Sequence, residues 1–101
     1  MPAARRKAFI SATTGTRDKR EARWIEPNPH TPSPADAWVL PNRVSVWAVV
    51  RQLQLDSWET KLVADGFELP LAAVEATIGY YHRHRAEVDD RIERNRTFFG
   101  D

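Results

Sequence analysis

Four prolines within eight positions, Pro27, Pro29, Pro32 and Pro34, divide this 101-residue chain. Proline fixes its own φ and lacks the N–H that a helix interior or a central strand requires. The sequence therefore predicts an extended, proline-rich linker or edge over residues 24–36. Ahead of it, residues 1–23 hold few large apolar side chains beyond Phe9 and Ile10. Such a segment cannot bury a core, and it reads as a flexible arm that orders on a partner. What can fold by itself is residues 37–101, one small domain, as the chain length allows.

Within that domain the periodicity changes once. Trp38-Val39-Leu40 and Arg43-Val44 read as two short extended pieces around a Pro41-Asn42 turn. From Ser45 onward the period is helical: Val46, Val49, Val50 and Leu53 fall at i, i+3, i+4 and i+7. Asp56 and Glu59 have the spacing of a capping box. They predict a second helix from Ser57 to about Asp65, with Trp58 and Leu62 inward and Gly66 as its left-handed terminator. Pro70 suits the first turn of a third helix, whose inward stripe is Leu71, Val74, Ile78 and Tyr81. That helix either stops or runs on into a last one carrying Val88 and Ile92. The expected fold is mainly all-α: a small helix–turn–helix-like bundle of three to four helices with a short β entry and the basic arm. Trp47 and Tyr80 fall outside the inward stripes, roughly 100° and 140° from them on an ideal helix. They are candidate interface aromatics.

Charge separates the two parts. Residues 1–35 carry a net +4 and residues 36–101 a net −3, so the arm suits a polyanion and the body does not. No apolar run approaches the ~20 residues of a membrane span. Arg5, Arg6 and Lys7 are followed by polar sequence rather than the apolar stretch of a secretory signal. With no cysteine there is no disulfide, thiolate or Cys-based zinc site. A bacterial, cytoplasmic protein is expected.

Catalytic patterns are not found. His82 and His84 would point ~200° apart on a helix, His30 lies among the prolines, and Asp89-Asp90 diverge as neighbours do. The four glycines are scattered at 15, 66, 79 and 100, so no phosphate loop forms, and no serine sits in a nucleophile elbow. No enzyme, metal or cofactor is expected. Two features carry functional weight. Arg5, Arg6, Lys7, Arg17, Lys19 and Arg20 of the arm can neutralise phosphates. The second and third helices, joined through Gly66 to Leu69, have helix–turn–helix spacing. The third helix, however, opens with Ala72, Ala73, Glu75 and Ala76 and has no Arg or Lys before Arg83, which does not suit major-groove readout.

Ala35-Asp36-Ala37-Trp38-Val39, Pro41-Asn42-Arg43-Val44-Ser45-Val46-Trp47 and Tyr80-Tyr81 through Glu87-Val88-Asp89 resemble domain-of-unknown-function family 433. Arg43, Val46, Trp47, Tyr80, Tyr81, His84, Glu87 and Asp89 match that family's pattern, and the resemblance runs from about Trp24 to Arg96. Pro41-Asn42, Ser45 and Arg85 depart from it, in place of Gly-Thr and two prolines. The resemblance implies a bacterial helix–turn–helix-like regulator of the VapB antitoxin type. Such a protein binds and neutralises a PIN-like ribonuclease toxin and binds operator DNA as a homodimer. Arg43 would join the arm's cations on DNA. A toxin would be gripped by Arg94, Arg96, Phe98 and Phe99 near the C-terminus with Trp47 and Tyr80, or by the arm through Phe9 and Ile10. The alternative is that Phe98 and Phe99 close the core beneath the last helix, a role that fits Phe98 better than Phe99. A stand-alone DNA-binding regulator and a pure protein-interaction module are the alternatives.

Overall fold

The computed structural model describes residues 21–99. They are mostly helical, with a small antiparallel sheet at the entry. Residues 21–24 are helical and lead into β1 (Ile25–Glu26). β2 (Trp38–Val39) lies between β1 and β3 (Val44–Ser45), pairing Ile25 with Val39 and Val39 with Val44. Pro27 follows β1 directly, and the cis Leu40–Pro41 bond opens the turn after β2. Without N–H groups, neither proline can extend the ladder, which explains strands of two residues.

The proline-rich segment is also where the entry meets the core. Ile25 and Ala35 are buried in it. Pro34 starts a 3-10 turn (Pro34–Asp36), capped by the Ser33 hydroxyl accepting from the Ala35 N–H at 3.2 Å. At a first helical position the missing proline N–H costs nothing. The segment thus forms an edge strand and a capped turn against the body.

Helix α1 (Val46–Leu55) follows β3 without a break. Val46, Val49, Val50 and Leu53 all have zero exposure, as their spacing predicts. Its end differs from the expected capping box. The Asp56 carboxylate accepts from Gln52 Nε2 at 3.0 Å instead of capping the next helix. Ser57 and Trp58 take left-handed φ of 56° and 62°. The Trp58 N–H then closes back on the Leu53 carbonyl at 2.7 Å, the wrap that satisfies an orphan carbonyl at a helix end.

Those two left-handed residues delay α2 (Thr60–Phe67) by three positions and turn a different face inward. Val63 and Ala64 are buried, while Trp58 and Leu62, expected inward, are 40% and 57% exposed. Gly66 is helical rather than the terminator. That role falls to Glu68 at φ 58°, after which the Leu69 N–H reaches the Ala64 carbonyl at 2.8 Å. Burial of Leu69 offsets the cost of a side chain in a left-handed position. The Asn42 amide, from the β2–β3 turn, donates to the Phe67 and Glu68 carbonyls at 3.1 and 3.0 Å and holds this helix end.

Helix α3 (Leu71–Arg83) buries Ala73, Val74, Thr77 and Tyr81. Leu71, expected on that stripe, is 37% exposed, whereas Ala73 and Val74 of the same turn are fully buried. The Thr77 hydroxyl donates to the Ala73 carbonyl at 2.8 Å, so its burial leaves no polar group unsatisfied. The helix ends at His84, whose N–H is shared between the Tyr80 and Tyr81 carbonyls. Helix α4 (Arg85–Phe99) is separate. Run straight on from α3, its 15 residues would extend about 22 Å past the bundle. The break instead lays α4 across α1 and the 3-10 turn, with Val88 fully buried.

Candidate interaction surface

One buried charge organises the entry. Asp36 is 8% exposed and meets Arg91 Nη1 of α4 at 2.5 Å, while the Thr31 hydroxyl donates to its other oxygen at 3.4 Å. The Arg91 guanidinium also lies 5.4 Å from the centre of the Trp47 ring. Trp47, a candidate partner contact, is therefore half-buried beneath α4 and packed on the core. A second polar link runs through Tyr81. Its hydroxyl donates to Asp89 at 2.7 Å and its ring stacks with Trp58 at 6.0 Å. These contacts clamp the α1–α2 loop, α3 and α4 together.

The exposed side of α3 forms a groove of about 440 Å³ with residues 21–24. Ala72, Ala76 and Gly79 make a low floor, Trp24 a wall, and Glu75 and His82 line the rim. Arg83 and Glu21 form an ion pair at one side. Across that pair lies a smaller hollow bounded by Ala22, Ile25, Pro27 and Tyr80. Tyr80 is half-buried there, with His84 4.4 Å away, ring to ring. Burial pushes its hydroxyl above the ordinary tyrosine value, against the pull of the Arg83 charge.

The remaining candidate residues are spread over the molecule. Arg43 is exposed at φ 58° and its guanidinium sits 5.1 Å from the centre of the Trp38 ring. Arg94 and Arg96 are exposed and paired along α4 with Asp90 at 3.0 Å and Glu93 at 2.8 Å. Each is held by its own helix rather than gathered into a shared patch. Arg5, Arg6, Lys7, Arg17, Lys19 and Arg20 lie outside the described residues, and so do the side chains of Phe98 and Phe99. Among the described residues, no group of three His, Cys, Asp or Glu side chains is placed to hold a metal ion. Nor is any helix among them long and apolar enough to cross a membrane.

What the sequence pattern did not locate is an exposed apolar set around α2. Leu55, Trp58, Leu62 and Leu71 are the large hydrophobics left in solvent among the described residues, at 62%, 40%, 57% and 37%. All lie in α2 or within five residues of its ends. The signal for this was Ser57-Trp58 outside the helix, which only the backbone reveals. The chain matches no family model, no curated protein and no solved structure.

Proposed function

We propose that this chain is a protein-binding regulator of the antitoxin type, one that occludes a PIN-like ribonuclease toxin and acts as a homodimer on operator DNA. The resemblance over residues 24–96 supports the class. So does the packing of α2 and α3 on α1 through the short Glu68-Leu69-Pro70 connection, an arrangement of the helix–turn–helix-like kind. The observation that carries the protein-binding part is the outer side of α3. In the place of a base-reading helix stand Leu71, Ala72, Glu75 and Ala76, over a groove with a low apolar floor. Base edges are read mainly by Arg, Lys, Asn and Gln. An acid on a floor of small residues suits another protein instead.

Operator contact then belongs to the basic residues of segment 1–23 and to Arg43, as salt-dependent phosphate contacts. The stand-alone DNA-binding regulator shares that phosphate contact and lacks the nuclease partner. The pure interaction module shares the surface and lacks the operator step. Tagged full-length chain recovered from its native cells is expected to carry one small nuclease in near-equal amount. Recovery of DNA with no nuclease, or of an unrelated assembly, would overturn the reading.

A further inference from the structure

We infer that the outward face of α2 is a two-fold interface with a second copy of this chain, in which Leu62 of each copy seats over Gly66 of the other. This gives the homodimer of the proposed function a place on the molecule. It rests on that reading only for its purpose.

Three independent features of α2 lead there. The exposed large hydrophobics among the described residues all lie in this helix or beside it, and Leu62 projects from its first turn. Second, Gly66 lies in the last turn of the helix with nothing within 4 Å of where a Cβ would be. Its backbone is helical, so neither a turn nor a close contact within the chain requires glycine. Glycine is less favourable than alanine in a helix, less so in its last turn, and close approach of another backbone or side chain is a use of the missing Cβ. Third, Lys61 and Asp65 are exposed and have no ion-pair partner among the described residues. Lysine four residues ahead of an acid is the weaker order for pairing along one helix.

These features fit one geometry. On an ideal helix Lys61, Asp65, Leu62 and Gly66 cover an arc of roughly 140°, opposite Val63, Ala64 and Phe67. If two copies of α2 cross antiparallel about an axis near residues 63 and 64, Leu62 meets Gly66 of the partner subunit twice. The same axis sets Lys61 beside Asp65 of the partner subunit, also twice. A two-fold interface needs a patch that is its own complement. One helix turn carrying both a lysine and an aspartate meets that condition, whereas a foreign partner would need its charges matched separately. That self-complementarity selects a second copy as the occupant.

Sedimentation of the purified full-length chain, without nuclease or DNA, tests this. A concentration-dependent dimer is expected. Lys61→Asp puts like charges together twice and should raise the dimer dissociation constant about tenfold. Adding Asp65→Lys to it should restore the wild-type value. The pair of changes places the acid near the start of α2 and the lysine near its end, the arrangement its dipole favours, so the fold is kept. Gly66→Gln should also break the dimer while circular dichroism stays unchanged, since the space is open in the single chain. A monomer up to millimolar concentration, or a dimer indifferent to Leu62→Ser and not rescued by the charge exchange, would overturn the inference. Nuclease binding by the monomeric variants separates that failure from failure of the antitoxin reading.

Discussion

Replacing Leu53 by alanine is expected to cost about 3 kcal/mol of folding stability, the range seen when a large core side chain leaves a cavity. Leu53 heads the largest side chains with essentially no exposure and sits on α1. That helix packs on α2, α3, α4, the 3-10 turn and β3. Few core side chains can collapse into the space, because most of the largest fully buried ones are valines (Val46, Val49, Val50, Val63, Val74 and Val88 among them) held by their backbones. Valine has a single stiff side-chain torsion and cannot extend to fill a gap. For a domain of this size a loss of that order lowers the melting temperature by roughly 12–24 °C. Urea unfolding followed by circular dichroism measures it. Leu53→Met, which conserves volume, should cost less than about 1.5 kcal/mol. An alanine variant as stable as the parent would show that α1 is not the centre of the core.

The second large effect concerns Arg91. Arg91→Ala leaves the Asp36 carboxylate without its cation and uncovers the Trp47 ring. Removing one member of a buried pair costs ~3–5 kcal/mol when the site is dry. Here the Arg91 side chain is 30% exposed and that of Asp36 12%, so solvent reduces the loss to about 2 kcal/mol. Replacing both groups by apolar ones, Asp36→Ala with Arg91→Met, should recover most of it, because no charge is then stranded. The double-variant cycle reads the coupling directly. Additive losses would mean that Asp36 and Arg91 act separately and that the pair does not hold α4 to the entry.

How far the sequence reveals this molecule depends on which interactions are local. The stripe of α1 is legible since four apolar residues at helical spacing have one face to bury. The strands around Pro41-Asn42 are legible since proline leaves the turn few alternatives. The start and end of α2 are not. Ser57, Trp58 and Glu68 take left-handed conformations that their residue types do not advertise, and the glycine that does advertise one, Gly66, is helical. Tertiary contacts help decide those ends: Leu69 is drawn into the core and Asn42 holds the last carbonyls, while the Trp58 N–H closes locally on Leu53. The break at His84 is likewise set by the docking of α4, not by a proline. Among the site residues, Trp47 and Tyr80 stand out by their place on the helices. His84 lies four residues on from Tyr80, a spacing the sequence shows, whereas Arg91 over Trp47 becomes apparent only in space. The Asp36–Arg91 pair spans 55 residues, and no periodicity carries a signal across that distance.

The described residues form a small helical body with a valine-rich core and the part-buried Asp36–Arg91 pair, and leave the outer face of α2 and the α3 groove exposed. The antitoxin reading is tested most directly by titrating the purified chain into a PIN-like nuclease recovered with it from its native cells, with RNA cleavage as the signal. The account predicts that cleavage falls linearly and stops near one equivalent. Cleavage that persists at full rate in large excess of the chain would contradict it.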